Sequence, residues 1–142
     1  MFLGQFYHNL DEKGRVTIPA NFRELLLDGG FVTQGFDKNL NLLTESAFTE
    51  MAGKVNSLSE TDPNIRKLRR LFFANAGKVD LDRLGRILIP SYLREIAKLN
   101  KEVVIVGVGD AIEIWSPEYW QQQVDFLSDS DANAQQFKEF NI

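Results

Sequence analysis

The sequence predicts an α+β protein, mainly β with helices, in which two equivalent halves share one pseudo-symmetric β-barrel. Three observations lead to this class. First, the stretch LDEKGRVTIPANFREL, residues 10–25, returns as LDRLGRILIPSYLREI, residues 81–96, with eight identities in sixteen positions. The identical pairs are Leu10/Leu81, Asp11/Asp82, Gly14/Gly85, Arg15/Arg86, Ile18/Ile89, Pro19/Pro90, Arg23/Arg94 and Glu24/Glu95. Second, each copy passes from a glycine turn into a short aliphatic run and later into a hairpin pattern, which reads as β structure. Third, a half of roughly 60 residues is marginal on surface-to-volume grounds. Two such halves are therefore expected to pair strands across a pseudo-twofold axis and bury one core.

The elements follow in the same order in both halves. The turns lead into strands over 15–18 and 86–89. Pro19 and Pro90 stand at the expected first position of short helices over 19–27 and 90–99, where a fixed φ suits and a missing N–H costs nothing. Hairpins come next. FVTQG and LNLLT flank Asp37-Lys38-Asn39, and VVIVGV and AIEIW flank Gly109-Asp110, with a one-residue shift that keeps Gly35 aligned with Gly107. Phe48, Met51, Ala52, Val55 and Leu58 recur at helical spacing after Thr44 or Ser46, either a suitable cap. Ser116-Pro117 opens a helix carrying Trp120, Val124 and Leu127.

Between the halves, Asp62-Pro63 precedes NIRKLRRLFFANA, a basic amphipathic helix. After Ser128 the chain is polar and is expected to be frayed or disordered. The expected organisation is a first repeat over 1–60, a basic linker helix over 61–77, a second repeat over 78–128 and an acidic tail over 129–142. Apolar helix faces left exposed by such a fold would drive assembly into closed oligomers.

Composition narrows the class. A chain of 142 residues suits one domain and can bury a core. It has no cysteine, which excludes disulfides and thiolate metal sites. The start MFLGQFYHNLDEKGR lacks a basic leader followed by an apolar run, so no signal peptide is expected. No apolar stretch approaches the roughly 18 residues of a membrane span, and a cytoplasmic protein is the expectation. The net charge of −4 argues at first against nucleic acid, but its distribution does not. Residues 1–117 hold 15 Lys/Arg and 15 Asp/Glu, and the acidic surplus follows Pro117. Between Thr61 and Lys101 ten Lys/Arg face four Asp/Glu. A local basic patch attracts phosphate whatever the total charge.

The repeated turn concentrates the chemistry. Gly14 and Gly85 suit a positive φ. Asp11 and Asp82 are placed to accept from backbone amides two residues on and to pair with the arginine that follows. A salt-bridged structural turn is one reading. Against it, Lys13, Arg15, Arg83 and Arg86 cluster at two equivalent strand entrances, which a pseudo-symmetric barrel would bring to one face. Arginine there suits phosphate and guanine, both gripped bidentately.

DEKGRVTIP and DRLGRILIP in tandem, with MFLGQFYHNLDEKGR at the start, resemble the MraZ family of bacterial transcriptional regulators, over nearly the whole chain. The resemblance implies two fused AbrB-type swapped-hairpin units and ring-like homo-oligomers of more than two subunits. It also implies binding to short direct repeats of double-stranded promoter DNA, ahead of the cell-division and cell-wall gene cluster. Carried over by position, the signature residues are Asp11, Arg15, Asp82 and Arg86, with Lys13 as an extra cation. The second copy has Arg83 in place of Glu12 and Leu84 in place of Lys13, so the copies are expected to touch DNA unequally. Such a regulator would be associated with the nucleoid.

Other motifs carry less. Arg66, Lys67, Arg69 and Arg70 read as the solvated face of a helix whose Ile65, Leu68 and Phe72 pack inward, ahead of a second DNA contact. GVGD, residues 107–110, lacks the third glycine of a dinucleotide loop and precedes a strand, so no cofactor is expected. His8, with no cysteine partner, reads as structural. Asp80 and Asp82 beside Lys78 lack a nucleophile, so no catalysis and no small-molecule substrate is expected. Trp115, Tyr119 and Trp120 read as core or subunit contacts. The rival from another class is an oligomeric protein-interaction module whose charged turns are structural and whose helices are the working surface.

Overall fold

A computed structural model describes residues 1–142. The first half contributes strands β1 (Phe2–Asn9), β2 (Arg15–Thr17), β3 (Gly30–Gln34) and β4 (Leu40–Thr44). Its helices are α1 (Ala20–Arg23), continued by a 3-10 turn at Glu24–Leu26, and α2 (Glu45–Asn56). Helix α3 (Pro63–Arg69) widens into a π turn over Arg70–Ala74 and leads to the second half. There follow β5 (Gly77–Val79), β6 (Arg86–Leu88), α4 (Ser91–Ile96), β7 (Glu102–Gly109), β8 (Ile112–Trp115), α5 (Pro117–Leu127) and α6 (Ser130–Phe137).

All strand pairings are antiparallel. Six strands form one sheet in the order β1-β7-β8-β4-β3-β5, and β2 pairs with β6 as a separate ribbon. Exchanging β1 with β5, β3 with β7 and β4 with β8 returns the same order read from the other end. The duplication is thus a pseudo-twofold axis. It passes through the pair Asn41·Glu113 in the sheet and the pair Val16·Ile87 in the ribbon. The α+β class and the mainly antiparallel pairing agree with expectation. The closed barrel does not follow from these pairings, because the sheet has two ends, β1 and β5, and no ladder joins them.

One core serves both halves. Val16, Ile18, Phe22, Leu26, Val32 and Leu42 pack in a single cluster with Ile87, Ile89, Leu93, Val103, Ile105 and Ile114. Two smaller clusters lie apart from it. Trp120 of α5 packs on Val104, Val106 and Trp115, and Val55 of α2 packs on Leu43 and Phe72. Trp115 and Trp120 are thereby core residues.

Several local expectations shift. Pro19 and Pro90 precede the first helical residue, with ψ of 138° and 144°. The strands explain this: the amides of Ile18 and Ile89 still donate across the ribbon to Gly85 O and Gly14 O, both at 2.9 Å, which keeps the chain extended up to each proline. Helix α4 stops before residue 99 because Lys98 turns at φ +53° and the Leu99 amide closes back on Arg94 O at 2.8 Å. Thr44 caps α2, accepting from the Ala47 amide, and Ser116 caps α5, accepting from the Tyr119 amide. The tail expected to fray forms α6, capped by Asp129 through the Ala132 amide. No helix is long and apolar enough to cross a membrane.

Candidate nucleic-acid interface

The repeated turn is built twice by the same bonds. Asp11 Oδ1 accepts from the amides of Lys13 and Arg15, both at 2.9 Å, and Oδ2 accepts from Arg15 Nε at 2.6 Å. Asp82 Oδ1 accepts from the amides of Leu84 and Arg86 at 2.9 Å, and Oδ2 accepts from Arg86 Nε at 2.8 Å. In both turns the aspartate amide donates to the arginine carbonyl and the glycine amide donates to the aspartate carbonyl. One carboxylate therefore folds the loop and aims the guanidinium. A further ion pair, Arg86 Nη1 to Asp11 Oδ2 at 3.8 Å, links the two turns.

The ribbon then sets the direction of the arginines. Val16 and Ile87 are opposed and buried, so their neighbours Arg15, Thr17, Arg86 and Leu88 lie on the outer face. Arg15 stands opposite Leu88, and Arg86 stands opposite Thr17. The two arginines thus share one face of one ribbon, on diagonal corners. Lys13 and Arg83 are exposed at the two turn tips. Each aspartate takes up the Nε of its own arginine, and Asp11 also draws in Nη1 of Arg86, so the terminal nitrogens of Arg15 are the less engaged of the two sets.

Gly14 and Gly85 adopt φ of +86° and +75°. Each also lies under an arginine from the other half. A Cβ on Gly14 would stand 2.6 Å from Arg94 Cζ, and one on Gly85 would collide with the Arg23 guanidinium. Arg23 Nε donates to Ile18 O at 2.8 Å, and Arg94 Nε donates to Ile89 O at 3.0 Å. These two arginines lock each half's turn against the other half's strand exit. Sequence reasoning does not single them out, although both stand among the eight identities, and that repetition is the available signal.

The turn amides also set the acidity of the aspartates. The Arg15 amide, followed by the Arg15 side chain and the Lys13 amide, lowers Asp11 from the ordinary 3.8 to about 2, against a smaller opposing desolvation. Asp82 is lowered in the same way, first by the Arg86 amide. A carboxyl whose folded pKa is depressed stabilises the fold above its unfolded pKa, and that contribution disappears as pH falls through the folded value. The urea midpoint is expected to drop between about pH 4 and pH 2. With Asp11→Asn the pH-dependent part from this group is removed, so wild-type and variant midpoints, separated at pH 7, should converge toward pH 2. Parallel curves across that range would contradict this role for Asp11.

The remaining residues lie elsewhere. Leu68 and Phe72 turn into the small cluster under α2, while Arg66 donates to Glu60 O and Thr61 O, and Arg69 pairs with Glu60 at 3.7 Å. His8 is half-buried on β1, and no group of three or more His, Cys, Asp and Glu side chains gathers anywhere as a metal site. The Asp80 side chain lies against Gly29, away from the Asp82 turn bonds. Glu113, on the pseudo-axis, has its carboxyl raised by desolvation and accepts from Trp115 Nε1 at 3.0 Å.

Fold and turns together define a class: tandem-repeat α+β proteins whose two halves interlock through a ribbon bearing paired Asp-x-x-x-Arg turns. The family model described as "MraZ protein, putative antitoxin-like" matches residues 1–71 and again 72–140. A relative from Herpetosiphon aurantiacus, named Transcriptional regulator MraZ, is 44% identical over 143 residues and covers 100% of each chain. Relatives of the same name from Thermomicrobium roseum and Dictyoglomus thermophilum are each 48% identical, covering 90% of both chains in the first case. In the second case the match covers 86% of this chain and 84% of the relative. The chain belongs to the MraZ family.

Proposed function

We propose that the chain is a sequence-specific DNA-binding regulator of transcription. The observation that carries this reading is the single ribbon with Arg15 and Arg86 on its outer face and Lys13 and Arg83 at its two turn tips. The major groove of B-DNA admits a two-stranded ribbon, and arginine grips guanine O6 and N7 or a phosphate bidentately. On this reading Arg15 and Arg86 take base edges or phosphates, Lys13 and Arg83 take flanking phosphates, and Asp11 and Asp82 hold the arginines in register. Gly14 and Gly85 allow the turns to close. The name shared by the relatives, Transcriptional regulator MraZ, supports the same role.

The finer assignments are part of the proposal. The exchange of ribbon strands, with Ile18 bonded to Gly85 and Ile89 bonded to Gly14, supports reading the halves as two AbrB-type swapped-hairpin units that together form a barrel. The chain would work as a ring-like homo-oligomer on direct repeats in the promoter of the cell-division and cell-wall cluster, its own gene included. One subunit offers few cations, so several subunits on linked sites would supply affinity, often 10²- to 10⁴-fold beyond one contact. The basic face of α3 would stay solvated. Neither cofactor, small-molecule substrate nor membrane enters this reading, and its setting is the nucleoid in the cytoplasm.

Fluorescence anisotropy with the DNA upstream of its own gene, against scrambled DNA over a salt series, tests the proposal. The expected result is preference for the upstream fragment and a log–log salt slope of roughly −0.9 per phosphate taken. Equal, weak binding to both fragments would leave the protein-interaction module as the better reading.

A further inference from the structure

We propose that Leu88 and Thr17 are specificity-determining residues that contact thymine methyl groups, and that the difference between them gives the ribbon a direction on DNA. The inference rests on the DNA reading above.

The outer face of the ribbon contains two pseudo-equivalent pairs, Arg15·Leu88 and Arg86·Thr17. The arginines match across the axis and their partners do not. Leu88 is the anomaly. It is 53% exposed on a face otherwise made of Arg15, Thr17 and Arg86. The ribbon does not need it for burial, because Val16 and Ile87 already supply the inward pair. Thr17, at the equivalent position, shows that a polar β-branched residue is accepted there.

An apolar side chain beside a base-reading arginine has one natural counterpart. Thymine C5-methyl is the apolar group on the base edges of the major groove, and it accepts contact from alanine, a threonine methyl or a larger apolar side chain. Directly opposed residues of a ribbon hold their Cβ atoms about 4.5–5.5 Å apart, and successive base pairs are separated by about 3.4 Å. Arg15 on a guanine and Leu88 on the thymine of a neighbouring step is therefore a compatible pair. At the other end Arg86 is accompanied by Thr17, which has a smaller methyl and a hydroxyl, and the tip carries Arg83 and Leu84 where the first tip has Glu12 and Lys13. The two ends differ, so one ribbon distinguishes the two orientations of a non-palindromic site.

The test uses the upstream fragment prepared with either thymine or uracil, which removes every C5-methyl and leaves the hydrogen-bonding edges intact. Full-length wild type, Leu88→Ala, Leu88→Thr and Thr17→Val are compared by anisotropy after folding and assembly are checked by circular dichroism and gel filtration. Wild type is expected to bind the uracil fragment about fourfold more weakly for each thymine methyl that it touches. Leu88→Ala should lose a similar factor on thymine DNA and Leu88's own share of the response to uracil, leaving the share that Thr17 contributes. Leu88→Thr should keep part of that response, and Thr17→Val should keep all of it. Wild-type binding that is specific yet equal on both fragments would overturn the proposal while leaving the DNA reading intact. Undiminished uracil sensitivity in Leu88→Ala would overturn it too, assigning the effect to DNA shape. Absence of specific binding to either fragment would sink the DNA reading itself.

Discussion

Replacing Arg15 by alanine is expected to weaken binding to the upstream DNA by about 1–3 kcal/mol per subunit engaged, with Arg86→Ala giving a comparable loss. The fold should survive both changes. Arg15 and Arg86 project from the outer face of the ribbon, and the inward face is held by Val16, Ile87 and the shared core. Each turn also keeps its aspartate bonds to two backbone amides when the guanidinium is gone. Arg15→Lys is the informative companion: it retains charge but not the planar fork, so it should restore salt-dependent attraction without sequence preference. The variants are compared with wild type by anisotropy, with gel filtration to confirm that assembly is unchanged. Retained affinity in folded Arg15→Ala and Arg86→Ala would return both turns to a structural role.

Gly85→Ala is expected to be strongly damaging, costing roughly 2–5 kcal/mol of stability. Two independent effects add. A side chain at φ +75° is strained in the backbone, and its Cβ collides with the Arg23 guanidinium, which cannot withdraw without giving up its bond to Ile18 O. Removing Arg23 separates the two. Arg23→Ala alone should cost a modest amount, since it leaves Ile18 O short of a donor. Gly85→Ala in the Arg23→Ala background should then cost only the backbone part, and the gap is a coupling energy measurable by urea unfolding of the four proteins. Equal costs of Gly85→Ala in both backgrounds would show that the arginine is not the obstacle. Gly14 and Arg94 form the equivalent pair, with a 2.6 Å approach, and should behave the same way.

Much of this was readable along the chain. The eight repeated positions implied a pseudo-twofold protein before any strand was placed. Gly109-Asp110 marked its hairpin correctly: the Val108 amide closes on Ala111 O and Gly109 takes φ +92°. Ser116-Pro117 and Asp62-Pro63 marked helix starts because a capping side chain and a proline act within one turn of their own position. The charged residues of the candidate interface were also visible, since Asp11 and Arg15 meet four residues apart. What misled was equally local. Pro19 and Pro90 look like first helical residues, and only the cross-half bonds of Ile18 and Ile89 show why the chain is still extended there.

Duplication, turn chemistry and helix caps are properties of neighbouring residues, and the sequence by itself determined them. Which edges meet was decided only by the tertiary structure. The pairing of β1 with β7, of β4 with β8 and of β2 with β6 joins residues far apart in the chain, and their registers depend on how the two apolar faces fill one core. The same long-range packing puts Arg94 over Gly14 and Arg23 over Gly85, and brings Arg15 and Arg86 to one outer face. A local pattern can specify a turn because its bonds close within five residues. It cannot specify what lies on the other side of a strand whose partner is some 70 residues away.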